Sequence, residues 1–332
     1  MKDLGKGAVE LVKVGESAAG QRLDNFLRRR LKGAPKSLIY RIIRSGEVRI
    51  NKGRADASTK LELGDTVRVP PVRLDADQPH PDAPATHAPG SARAGEKLAT
   101  LYEDDALLAI NKPPGLAVHG GSGVKFGVIE ALRAALPDAK FLELVHRIDR
   151  ETSGILLIAK KRSLLVALHA LLREGKTDKR YLALVAGHWP HESKHHIRIA
   201  LAKIVVAGGE RRVTEADDDA YSKDAHTVVN VVKRFAGATL LEAQIKTGRM
   251  HQIRVHLASS GYPILGDDKY GDFARNKVEA KRGLKRMFLH AAKLSFIHPA
   301  TGERLRIEAP LPPDCADFLE SLAAERHVPE QL

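Results

Sequence analysis

Apolar positions along the chain change their spacing several times, and those changes outline the elements. Val9, Leu11, Val12 and Val14 suggest one short strand in a lead-in that runs to about Gly15. From Gln21 the spacing turns helical: Leu23, Phe26, Leu27 and Leu31 share a face until Lys32-Gly33-Ala34-Pro35 stops them. A second helix is predicted from Ser37, a good N-cap, through Leu38, Ile39, Ile42 and Ile43 to Gly46. Short strands follow at Val48-Arg49-Ile50 and Thr66-Val67-Arg68-Val69, with Asn51-Lys52-Gly53 turning after the first.

Between 76 and 96 the pattern lapses into Pro, Ala, Asp, His and Gly, with little to bury, and a linker is expected. Beyond it, residues 97–322 read as a larger domain. Leu107-Leu108-Ala109-Ile110 is a buried strand followed by a turn at Asn111–Gly115, and LAVHGGSGVKFG is a glycine-rich loop that lacks the spacing of a Walker loop. Helices are predicted at Val128–Ala135, Ser163–Arg173, His251–Ser260 and Ala316–Leu322. Strands are predicted at Lys179–Val185, Ala225–Lys233 and Thr239–Ile245, with a final strand pair around the turn Pro299–Gly302. AGGERRVTEADDD, at 207–219, reads as a polar surface excursion.

Composition sharpens this picture. A chain of 332 residues with 43% hydrophobic content is an ordinary globular α+β protein of about two domains. A formal charge of +13 points to a polyanionic partner, and nucleic acid is the commonest. Arg28, Arg29 and Arg30 crowd the first helix, and Arg41 and Arg44 the second, so this small module suits sequence-independent phosphate binding. No apolar run approaches the ~20 residues of a membrane helix, and the N-terminus has no signal-peptide core. Cys315 is the single cysteine, which excludes an intrachain disulfide and fits a reducing, cytoplasmic setting. His188, His191, His195 and His196 share no recognised ligand spacing with a Cys or carboxylate; a solvated loop is expected there, and no metal.

Candidate chemistry centres on His146–Lys160, HRIDRETSGILLIAK. Ile155–Ala159 is a run suited to a strand buried on both faces, with Glu151–Gly154 as the turn into it. Asp149 stands at its lip between Arg147 and Arg150. On an extended segment Arg147 and Asp149 leave the same face, which suits an ionised nucleophile or base. Such a run before a strand is more often a structural ion-pair cluster than a catalytic site, and alone these residues leave both readings open. A kinase catalytic loop is excluded because Ile148 intervenes before the aspartate and no DFG follows.

The whole phrase closely resembles the signature of the RluA-type pseudouridine synthases. NKPPGLAVHGG, KTGRMHQIRVHLASSGYPILGDDKYG and RMFLHAAKLSFIHPATGERLRIEAPLP resemble further segments of that family. RLDNFL…SLIYRIIRSGEVRIN…LELGDTVRV, over roughly 20–75, resembles the small RNA-binding module named after ribosomal small-subunit protein four. The resemblance implies a mixed, largely antiparallel sheet with helices in the catalytic domain, preceded by a small basic α/β RNA-binding module. It implies isomerisation of uridine to pseudouridine in large-subunit ribosomal RNA, with no cofactor; a monomer is expected. Asp149 would be the catalytic carboxylate, Arg254 its partner and Tyr181, beside Lys179, a platform for the flipped base. Arg147 would fill the place the base leaves or grip a flanking phosphate. Two other classes stay open: a non-catalytic RNA-binding assembly factor, and a glycoside-cleaving hydrolase that would recruit Glu151 as second carboxylate.

Overall fold

The computed structural model describes residues 9–31, 33–72, 98–120, 126–205, 211–216 and 222–325. The chain divides into two units, Met1–Ala85 and Thr86–Leu332. The expected linker at 76–96 lies outside the described residues, as do 121–125 of the glycine-rich loop and much of 207–219.

In the first unit β1 (Glu10–Lys13), α1 (Leu23–Arg30), α2 (Lys36–Arg44), β2 (Arg49–Ile50) and β3 (Thr66–Val69) enclose a small core. The sheet runs β1-β3-β2, all antiparallel, and Leu23, Leu27, Ile39, Val48, Leu61 and Val67 are fully covered beneath it. α1 begins two residues later than its apolar spacing suggested. The backbone at 21–23 is already committed: Leu61 N–H donates to Gln21 O at 2.8 Å, and Leu23 N–H donates to Thr59 O at 2.8 Å. α2 begins at Lys36 with Pro35, not Ser37, at the N-cap, where a residue without an N–H costs nothing. Gly46, at φ +76°, ends it as expected.

The second unit is built on a ten-stranded sheet. In chain order it comprises β4 (Ala99–Glu103), β5 (Leu107–Lys112), α3 (Val128–Ala135), β6 (Glu143–Leu144), β7 (Ser153–Ala159), α4 (Arg162–Arg173) and β8 (Asp178–Ala186). There follow β9 (His195–Arg198), β10 (Leu201–Val205), β11 (Arg211–Glu215), β12 (His226–Phe235), β13 (Ala238–Ile245) and α5 (Gln252–Ser259). α6 (Phe273–Lys281), β14 (Leu289–Ile297), β15 (Arg304–Glu308) and α7 (Pro313–Ala324) complete it. The sheet order is β4-β5-β7-β14-β8-β13-β12-β9, with β6 on β7 and β15 on β14; β10 and β11 form a separate hairpin. Its pairings are antiparallel except β7 against β14, so the mixed, largely antiparallel α+β expectation describes it.

Every residue of β7 is buried, because both faces of this strand are covered. Leu156 and Ile158 join the core that includes α3, while Ile155, Leu157 and Ala159 join the core under α4. Gly154 belongs to this strand and not to a turn before it. Its φ is +108°, and a Cβ there would stand 2.3 Å from Ala291 O on β14, so only glycine lets the two backbones approach.

Two further expectations need correction. His195 and His196 lie in β9, paired with β12, and not in a solvated loop; only Ile197 is buried there, so no apolar alternation announced the strand. Arg211–Glu215, within the expected polar excursion, is β11, paired to β10.

Candidate active site

Asp149 sits in the connection between β6 and β7, the position that turns the chain into the most buried strand of the sheet. Thr152 N–H closes a turn on Asp149 O at 3.1 Å. Lys112, at the end of β5 and fully buried, fastens this turn from below: its Nζ donates to Pro113 O at 2.8 Å, Leu116 O at 2.9 Å and Arg150 O at 2.9 Å. Three carbonyls match the three donors of an ammonium. Burial nonetheless pulls its pKa down to about 7, with the nearby Glu151 charge opposing. Gly115 N–H adds a fourth tie to Arg150 O at 2.9 Å.

Around Asp149 opens a cleft of about 690 Å³. Arg147, Arg150, Lys203, Arg249, Arg254 and Lys269 line it against three carboxylates, Asp149, Glu151 and Asp268, so the cleft is cationic. Arg147 and Asp149 both face it, as their two-residue spacing requires. Arg147 is exposed, and its guanidinium makes no hydrogen bond or ion pair among the described residues.

Arg254 comes from α5, a helix buried on nearly every face, and is only 2% exposed. It is no surface arginine. Its Nε and NH2 donate to the two oxygens of Asp267 at 2.7 and 2.6 Å, while NH1 donates to Asp149 Oδ2 at 3.4 Å. NH2 also reaches Asp268 at 3.4 Å, and the guanidinium lies 5.1 Å over the Tyr270 ring. Asp267 in turn accepts the backbone N–H of Lys269 at 2.8 Å and of Tyr270 at 3.1 Å. Burial works against the charge on each partner, but their mutual bonds win, lowering the Asp267 pKa and raising that of Arg254.

Tyr181 on β8 is buried and is not among the residues lining the cleft. Burial raises its hydroxyl pKa, with the Asp149 charge adding to the effect. Lys179, two residues earlier, is half-buried; desolvation lowers its pKa, and a Cβ on the cleft residue Gly248 would stand 3.9 Å from its Nζ. Asp149, Arg147 and Arg254 are thus brought together in the cleft, Lys179 lies near its wall at Gly248, and Tyr181 packs in the hydrophobic core. Among the described residues no group of three or more His, Cys, Asp or Glu converges as metal ligands.

Three residues of this site carried no assigned role in the sequence reading: Asp267, Lys112 and His251. Asp267 lies inside GDDKYG, where the glycine-flanked acidic pair reads as an ordinary turn. In the first unit Arg28, Arg41 and Arg44 are exposed, whereas Arg30 is paired with Glu10.

Comparison with known proteins identifies the family. The model of the RNA pseudouridylate synthase family matches residues 106–259, and that of the S4 domain matches 21–67. Ribosomal large subunit pseudouridine synthase C of Salmonella typhimurium is 52% identical over 306 residues, 92% of this chain and 93% of that protein. The protein of the same name from Escherichia coli K12 is 50% identical over 321 residues, 96% of this chain and 98% of that one. Among solved structures, human RNA Pseudouridylate Synthase Domain Containing 4 covers 68% of this chain and 93% of its own, at 27% identity and a TM-score of 0.55. The chain belongs to the RNA pseudouridylate synthase family. It is an isomerase acting on RNA, with an S4 domain ahead of its synthase domain, and none of its described helices is long and apolar enough to cross a membrane.

Proposed function

We propose that this protein converts specific uridines of large-subunit ribosomal RNA to pseudouridine, with Asp149 as the reacting carboxylate. The observation that carries the reading is Asp149 itself: a carboxylate in a cationic cleft, its Oδ2 3.4 Å from a buried arginine. The substrate is the one named in relatives about half identical over nearly the whole chain.

The reaction breaks the bond from uracil N1 to C1′, turns the base and joins C5 to C1′; the proton leaves C5 and one is gained at N1. Asp149 meets the sugar–base junction as nucleophile at C1′ or as base at the sugar. Arg254 pairs with its charge and orients it. Tyr181, covered in this structure, would become the stacking platform of the everted uracil once the base enters, and Arg147 takes the place it vacates or grips the adjoining phosphate. Lys179 backs the wall behind Gly248. Arg28, Arg29, Arg41 and Arg44, with Arg30 when released from Glu10, hold phosphates of the same RNA. Residues 20–75 would act as the RNA-gripping module, 76–96 as tether and 97–322 as the catalytic domain. We place this activity in the cytoplasm, by a monomer; the buried Cys315, its thiol pushed up to about 12, suits a compartment that forms no disulfides.

The test is incubation with ribosomal RNA from a strain lacking the enzyme, then mapping by carbodiimide-blocked primer extension. New stops at discrete large-subunit uridines, lost with Asp149→Asn while RNA binding survives, are expected. Silence at every uridine would mean a binding factor; release of free uracil would mean a hydrolase.

A further inference from the structure

We propose that His251 is a positioning residue for the reacting carboxylate: it presents an Nε2–H to Asp149 Oδ2, so that His251 and Arg254 occupy one oxygen and leave Oδ1 to meet the nucleotide. The inference rests on the reading of Asp149 given above.

Hydrogen-bond accounting fixes the tautomer. The Tyr270 hydroxyl accepts the Val213 N–H at 2.9 Å and lies 2.7 Å from His251 Nδ1. Were Nδ1 protonated, the phenol oxygen would accept twice, and its own O–H would have no acceptor among the described residues. The O–H therefore donates to Nδ1, and the ring proton resides on Nε2. Nε2 faces Asp149 Oδ2 at 3.9 Å, the same oxygen that Arg254 NH1 reaches at 3.4 Å. The Arg254 contact is a long hydrogen bond, while Nε2 stands just beyond hydrogen-bond distance and would close on Oδ2 as the substrate complex forms. Burial lowers the imidazole pKa, Asp149 pulls the other way and Arg254 and Lys269 add to the lowering, so the ring donates as the neutral form.

The backbone supports the same conclusion from a different direction. His251 precedes α5 at φ 53° and ψ 20°, left-handed geometry that few non-glycine residues adopt, although histidine, like asparagine and aspartate, is enriched there. Glycine or asparagine would hold that conformation with less strain. A ring kept there, edge-on to Tyr270 at 5.5 Å, is strain retained where a side chain must be aimed. The Arg249 N–H and Gln252 side chain, bonded at 3.0 Å, clamp the turn around it.

The experiment combines kinetics and spectroscopy on the full chain with a ribosomal RNA transcript. His251→Asn, which tolerates the left-handed backbone, should lower kcat about 10–100-fold with KM little changed. His251→Gln, whose amide can supply the donor, should recover part of the loss. Nitrogen-15 spectra of histidine-labelled protein should show His251 as the Nε2–H form, and Tyr270→Phe should abolish that preference and lower kcat. Unchanged kcat in His251→Asn, or a Nδ1–H ring in the unaltered protein, would overturn the proposal. If His251→Asn fails to fold, the spectra and Tyr270→Phe decide. Turnover by Asp149→Asn would instead remove the role of Asp149, a failure recognisably separate from the tautomer result.

Discussion

Arg254 gives its two shortest bonds to Asp267, at 2.6 and 2.7 Å, and touches Asp149 only at 3.4 Å. The pairing that holds the arginine is therefore not the pairing that reaches into the cleft. Asp267 is fully buried and anchored by two backbone N–H groups, so it fixes the plane of the guanidinium and leaves NH1 as the projecting arm. Asp267→Asn should strand a buried cation, destabilising the unit by about 3–5 kcal/mol. Urea denaturation would measure it, and turnover should fall although residue 267 lines no part of the cleft.

Lys112 predicts a second separation of support from chemistry. Lys112→Met keeps much of the side-chain volume but leaves three inward-facing carbonyls without their donor. Each unmet buried group costs about 1–3 kcal/mol, so a loss of roughly 3 kcal/mol or more is expected. Because one of those carbonyls belongs to Arg150, the turn carrying Asp149 should loosen. Hydrogen exchange at Gly115 N–H, bonded to the same carbonyl, is the sensitive measurement.

Much of this was legible beforehand, and the parts that were not have a common cause. Helix α3 matched its predicted ends because Val128, Ile129 and Leu132 bury one clear stripe after Gly127. HRIDRETSGILLIAK located both the buried strand and the carboxylate before it, since a short apolar run beside charge is a local signal. α6 went unread because its helix buries Glu279 instead of an apolar stripe, holding that carboxylate between Arg275 at 2.6 Å and Arg282 at 2.8 Å. Asp272, whose carboxylate accepts from Arg275 N–H at 3.0 Å, was the available N-cap signal. Asp267 and His251 matter through partners 13 and 102 positions away in the chain, distances no local pattern encodes.

His290 gives a pH dependence. It is fully buried between Ser153 Oγ at 2.9 Å and Ala309 O at 3.2 Å, and burial pushes its pKa from 6.5 down to about 4. Below about pH 6.5 the unfolded chain takes a proton here that the folded chain refuses until about pH 4. Stability from this group is thus complete above pH 6.5 and lost as pH falls through that window, by about 3 kcal/mol in all. His290→Asn should flatten the slope of unfolding free energy against pH between those values.

Gly154→Ala should fail for two independent reasons, a backbone at φ +108° and a new Cβ 2.3 Å from Ala291 O. Strain and overpacking together should cost at least about 2 kcal/mol. The parallel register of β7 on β14, which seats the Asp149 turn, rests on this approach. A soluble Gly154→Ala protein of unaltered melting temperature would contradict that account.

The arginines of the first unit separate into two classes by what already binds them. Arg44 is exposed on α2 with no ion pair among the described residues, whereas Arg30 is matched by Glu10, its Nε at 3.1 Å. An unpaired cation that meets a phosphate displaces a condensed counterion; a paired one must first give up its carboxylate. Arg44→Ala should therefore weaken RNA binding and reduce the slope of log affinity against log salt by about 0.7–0.9. Arg30→Ala should change that slope less, because the liberated Glu10 and the lost Arg30 leave a contact that was already part-neutralised. Glu10→Gln reverses the case: it frees Arg30, and binding at low salt should strengthen. Filter-binding titrations across a salt series would measure all three, and equal slopes for Arg30→Ala and Arg44→Ala would show that the Glu10 pair opens freely when RNA arrives.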